Sequence, residues 1–179
     1  MDWYAIVKCL HVASAVIWIG GAFIMIMLGA RAVRARNDVD IVGVVKQVAW
    51  AADRLYVPAS IATLIFGVGA AALGNWWSAL WVNLGFVGIV STIALGVLVL
   101  TPRAKAVAKE GGVTPRAVAV SLEILTIAKF DATVLFVIIA DMVLKPGLNE
   151  WGWLVAFAVV IVAAAVLWLT PVLRRPAAA

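Results

Sequence analysis

Apolar residues run along this chain in five long blocks separated by short polar stretches. A membrane-crossing helix needs about 20 mostly apolar residues, each rising roughly 1.5 Å. The blocks 4–30, 55–73, 81–100, 121–144 and 151–173 meet that need and predict five transmembrane helices. Lys8 and His11 interrupt the first block near its start, and Pro102 stops the third. The fourth holds several charges, whereas the fifth holds none. The stretch 40–54 is less apolar, but Val42, Val45, Val48 and Ala49 recur there at helical spacing. It predicts a cytoplasmic amphipathic extension of the second helix. Gly111 and Gly112 break the next inner loop, and Thr114-Pro115 marks a helix start. Residues 1–179 therefore read as one all-α domain, a polytopic membrane helix bundle.

Composition agrees. Hydrophobic residues make up 66% of the 179, and charged residues only 13%. A soluble fold needs about twice that charged share to cover itself. The net charge of +5 does not indicate nucleic acid, because the charges lie in short stretches between apolar runs. Eleven of the fourteen lysines and arginines fall on one side: Arg31, Arg34, Arg36, Lys46, Arg54, Arg103, Lys105, Lys109, Arg116, Arg174 and Arg175. The positive-inside rule places that side in the cytoplasm, with the N-terminus outside and the C-terminus cytoplasmic. Trp3, Trp76, Trp77, Trp81, Trp151 and Trp153 then mark the outer boundary. The first block opens with Asp2 and is followed by arginines, so it reads as a retained helix and not a cleaved signal. No lipidation motif is present.

The single cysteine excludes a disulfide within the chain, and the single histidine excludes a two-histidine metal cage. In the first helix, His11, Ser14, Trp18, Ala22 and Met25 recur every three or four residues as one stripe, which Lys8 extends outward. Three roles are open to His11. It bonds across to another helix, it ligates haem axially, or it joins Cys9, Met25 and Met27 around copper. Cys9 and His11 point to opposite helix faces, as do Met25 and Met27, which weakens a copper site on one helix.

The fourth helix carries Glu123, Lys129, Asp131 and Asp141. Charges at such depth cost several kcal/mol unless paired or hydrated. Lys129 and Asp131 are two residues apart and face nearly opposite ways, so their partners must come from other helices. The depths suggest Arg54 with Asp131, Asp53 with Lys129, and Lys8 with Asp141. These pairs either fix helix register or, at Asp131, form part of a proton or ion pathway. On the third helix, Gly85, Gly88, Thr92 and Gly96 share a face, which predicts close packing. The fifth helix has no polar side chain between Trp153 and Thr170, so it faces lipid or docks on a partner.

Lys8-x-x-His11 followed by Trp18-Ile19-Gly20-Gly21 resembles the first helix of the HemJ and CopD group of bacterial membrane proteins. Asp53-Arg54-Leu55, Pro58-Ala59 and Gly67 resemble the start of that group's second helix. A closer likeness is to a bacterial family of predicted integral membrane proteins of unknown function. Pro58-Ala59-Ser60, Trp81-Val82-x-Leu84-Gly85, Pro102-Arg103, Phe130-Asp131 and Asp141-Met142-Val143-x-Lys145-Pro146 carry it. The HemJ resemblance implies haem b as a cofactor with His11 as its ligand; the helix-one stripe adds Ser14, Trp18 and Met25 as the expected lining, between helices one and four. It also implies a lysine after a tryptophan in a later helix. Trp81-Val82-Asn83-Leu84 has none, which argues against protoporphyrinogen oxidase activity.

Three functions follow as expectations for a bacterial inner-membrane protein. It binds haem b or another small ligand at His11, it is a small transporter or ion- or proton-conducting subunit using Asp131, or it is a non-catalytic accessory subunit. Expected partners are the lipid bilayer and a homo-oligomer or larger membrane complex, with no nucleic acid. No nucleophile–base pair or phosphate loop appears, so no enzyme acting on a soluble substrate is expected.

Overall fold

A computed structural model describes residues 1–174; Arg175, counted above among the cytoplasmic arginines, lies outside them. The described residues form five long helices: α1 (Trp3–Arg34), α2 (Asp38–Leu73), α3 (Leu80–Lys109), α4 (Pro115–Leu144) and α5 (Trp151–Leu173). Four of them, α1, α2, α3 and α5, are long and apolar enough to cross a membrane. At 30 residues α4 has the length, but Glu123, Lys129, Asp131 and Asp141 make it more polar.

Local chemistry sets the ends. Asp2 caps α1 by accepting a hydrogen bond from the Ala5 amide at 3.0 Å. Arg31 and Arg34 occupy its last turn, where their charge complements the helix dipole. Thr114 caps α4 by accepting from the Ala117 amide, with Pro115 in the first turn. The second helix is one helical stretch from Asp38 to Leu73. Its buried positions include Val42, Val45 and Ala49, on the stripe read from the sequence.

Pro102 does not stop the third helix as expected. The helix runs through it to Lys109 by widening into a π turn at Gly96–Leu100. The same device occurs at Ala52–Tyr56 before Pro58 and at Ala165–Leu169 before Pro171. A proline has no amide hydrogen, and its ring clashes with the carbonyl four residues back. In each case the residue before the proline donates five residues back instead: Val57 to Ala52, Thr101 to Gly96 and Thr170 to Ala165. The ladder shifts register and the helix continues.

The most polar helix is the central one. α4 packs against α1, α2, α3 and α5, while α5 packs principally on α4 and leaves most of its side chains exposed. Gly85 and Gly88 of α3 admit Met142 and Ile138 of α4, so this pair of helices is closely packed as the glycine spacing predicts. Gly96, on the same expected face, meets nothing. Two apolar clusters result. One surrounds Trp18 with Ala59, Ile89 and Leu135. The other lies at the basic end of the bundle, where Ala32, Val42, Val45, Ala104, Val107, Ala117 and Ile124 meet.

Candidate functional site

The buried polar groups of the bundle are few, and most are satisfied locally. The hydroxyls of Ser14, Ser60, Thr63 and Thr92 donate to carbonyls of their own helices. His11 reaches across to α2. Its Nδ1 donates to the Thr63 carbonyl at 2.8 Å, and the ring packs where a side chain on Gly67 would otherwise stand. This is the cross-helix bond considered for it from the sequence.

The rest of the predicted pocket does not gather around His11. The interface it occupies is between α1 and α2, not between the first and fourth helices. Trp18 is buried in the central apolar cluster. Met25 lines an open groove of about 560 Å³ at the basic end, together with Arg31, Val39 and Gln47. His11 and Met25 are fourteen residues apart, about 21 Å along the helix. His11, Ser14, Trp18 and Met25 thus share one face without enclosing one ligand, and they do not fit a haem pocket. Cys9 is exposed and Met27 lies on the outer surface, so neither joins His11 around copper. No group of three metal-binding side chains occurs among the described residues.

The predicted ion pairs are replaced by other contacts. Asp53 pairs with Lys105 of α3 at 2.7 Å and not with Lys129. Arg54 is exposed, donates to the Trp50 carbonyl at 3.1 Å and lies over the Trp50 ring, away from Asp131. Lys129 lies over the Trp168 ring of α5 at 4.9 Å. Lys8 is exposed and covers Tyr4 at 5.1 Å, leaving Asp141 alone.

The two aspartates of α4 are left without donors on their buried oxygens. Asp131 has one buried carboxyl oxygen with no hydrogen-bond partner, and Asp141 has two. Asp141 is only 3% exposed. The acids are ten residues apart, about 15 Å along α4. Asp131 shares the core-facing stripe with Leu135, Ile138 and Met142. Asp141 lies beside it, with one oxygen 3.6 Å from the point where a Gly85 Cβ would stand. A carboxylate without donors in apolar surroundings must either hold a proton or meet a cation.

Asp131 also lies in a distinctive layer. Gly29 of α1 faces Leu125, Gly21 faces Leu55 and Tyr56 of α2, Gly88 of α3 faces Ile138, and Lys129 faces Trp168 of α5. Counting along the helices from these contacts places all three π turns within about one turn of the depth of Asp131. The prolines were legible in the sequence, but their common depth emerges only once the helices are registered against one another. The aromatic cluster at the opposite end of the bundle was likewise read only as a boundary marker. There Trp76 packs near Trp81, Trp77 stacks on Phe86, and Lys145 lies over Trp76 and Trp81.

No curated protein and no solved structure matches this chain. A family model, described as predicted integral membrane protein (DUF2269), matches residues 5–146, a stretch that takes in the first four helices and both α4 acids. The chain belongs to that family of integral membrane proteins.

Proposed function

We propose that this protein is a small proton-conducting transporter subunit that works through the acids of α4, with Asp131 as its central proton-binding group. On this reading α4 is a fifth span, the N-terminus is outside, and the basic end faces the cytoplasm of a bacterial inner membrane. The observation that carries it is the set of buried carboxyl oxygens without donors, one on Asp131 and two on Asp141, on the helix that touches all the others. Residues that served only to fix helix register would have partners. Asp131 has none, although Arg54 and Lys129 lie at similar depth and engage tryptophans instead.

The layer of π turns supports the same group. Each proline leaves a carbonyl without its usual donor, and such irregular backbone at membrane depth is stable where protein or water satisfies it. π turns also recur at functional sites. Irregular helix backbone near the membrane midplane is a recurring ingredient of substrate and ion positions. A second copy of the chain would help to enclose a path, since Asp131 and Asp141 are separated by the apolar Leu135 and Ile138.

The test is proton entry into liposomes carrying the purified protein, driven by a potassium diffusion potential and read with an internal pH dye. Wild-type protein should admit protons above the rate of empty liposomes, and Asp131→Asn should bring the rate down to that of empty ones. Asp53→Asn, which alters an exposed pair, should leave it unchanged. Full activity in Asp131→Asn overturns the reading.

A further inference from the structure

We propose that the tryptophan end holds a binding site for a small organic cation, and that Lys145 fills its aromatic part when no ligand is present. Several segments build it. Trp76 follows directly on α2, and Gly74 makes room for its indole. Trp81 lies in the first turn of α3. Lys145 ends α4 in the left-handed conformation, with φ 50° and ψ 53°, which turns the chain back over the bundle. The indoles of Trp76 and Trp81 lie 6.0 Å apart, tilted by 54°. The Lys145 ammonium is 5.9 Å from one ring centre and 5.2 Å from the other. Among the described residues it is the one cation placed over two rings. Lys8, Arg54 and Lys129 each use one.

Inward of this pair lies a carboxyl group. Gly85 is one turn inward from Trp81 on the same face of α3, and Asp141 lies against it. Counting along α3 therefore puts the Gly85 backbone that Asp141 lies against roughly one helical turn, about 5 Å, inward of the Trp81 backbone. Both of its oxygens are buried and lack a donor. Two aromatic faces above a buried carboxylate form the combination that recognises an ammonium group. Lys145 supplies a charge at the level of the rings, but its ammonium makes no hydrogen bond to the Asp141 carboxyl. A free ammonium compound is not fixed to the end of α4 and can meet both the rings and the carboxyl group. Lys145 is exposed, so its release into water costs little.

This inference rests on the reading of the α4 acids as functional groups, and it names the class of molecule that Asp141 serves. The test is calorimetric titration of the purified full-length protein in detergent with choline chloride, with sodium chloride at equal ionic strength as the reference. Wild-type protein should bind choline weakly and saturably. Lys145→Gln removes the internal competitor and should tighten binding about tenfold, as expected when an occupied site is freed. Trp81→Leu and Asp141→Asn should each abolish it. Lys145→Gln alters an exposed side chain and keeps the test open if a buried variant unfolds. Unchanged affinity in Lys145→Gln, intact binding in a folded Asp141→Asn, or an equal response to sodium overturns the proposal. If choline fails to bind while proton entry still depends on Asp131, only this inference falls. If choline binds and Asp131→Asn conducts normally, the proton reading falls and the cation site stands.

Discussion

The two ends of the bundle are built on different physics. At the basic end, the last turns of α1, the first half of α2, the end of α3 and the start of α4 close a small core of alanine, valine and isoleucine. Val45, Ala104 and Ala117 are fully buried there, and the charged groups stay at the surface. That is how a protein packs in water. The remainder faces a solvent as apolar as its own side chains, so burying leucine gains little. There the helices approach through small residues, and polar groups lie inside: His11 against Gly67, Asp141 against Gly85, and Asp131 at the level of the π turns. Stability is concentrated in the first region and chemistry in the second.

The largest effect that separates them comes from a charge placed in the basic-end core. Val45→Asp puts an unpaired carboxylate where nothing can answer it, and should cost roughly 4 kcal/mol. A thermal melt in detergent should show a large drop in midpoint. The natural acids Asp131 and Asp141 are tolerated within the membrane part, so a melt of Val45→Asp that resembles wild type would erase the distinction between the regions.

Next in size is the joint between them. A methyl group on Gly29 would collide with Leu125, whereas one on Gly20 would meet nothing. Gly29→Ala should therefore destabilise by about 1–3 kcal/mol. Gly20→Ala, nine residues away on the same helix, should lie within about 0.5 kcal/mol of wild type or slightly above it. Equal melting points for the two variants would deny that α1 and α4 meet there.

This contrast also explains what could be read in advance. Helix lengths follow from the apolar blocks, and the Val42–Val45–Ala49 stripe follows from periodicity, because both are properties of one segment alone. Depth was legible only in part: counting puts Arg54 at the inner boundary, about 9 Å short of Asp131, whereas the packed helices bring the two to nearly one level. Direction around the helix was not. Arg54 turns outward to Trp50, and Asp53 turns to Lys105, because facing depends on which neighbour each helix packs against. The His11 stripe was correctly read as one face, but a face about 21 Å long is not a pocket. Pro102 was read as a stop because local rules end a helix there. The packing of Ala104 and Val107 in the basic-end core keeps it going, and a π turn absorbs the mismatch.

A smaller effect, and one of opposite sign, is expected at the acids. Asp141→Leu removes two carboxyl oxygens that have no donor and should raise stability by about 1 kcal/mol. Choline binding should be lost in the same protein. A gain in melting temperature with loss of binding is the mark of a group kept for function at a cost in stability. A loss of melting temperature in this variant would show that Asp141 has a structural partner after all.

The smallest effect should come from the pair that looks strongest on distance alone. Asp53 and Lys105 approach to 2.7 Å, yet their side chains remain 58% and 44% exposed. An exposed pair gains little in a high dielectric and is screened by salt, so Asp53→Asn should cost under about 1 kcal/mol. The difference from wild type should shrink further between low and high salt. Lys105→Gln should behave alike, and the double variant should be no worse than either single one. A large, salt-insensitive loss in Asp53→Asn would mean that the pair is shielded from water, and the boundary between the two regions would then lie further toward the basic end than the burial of Val45 and Ala104 places it.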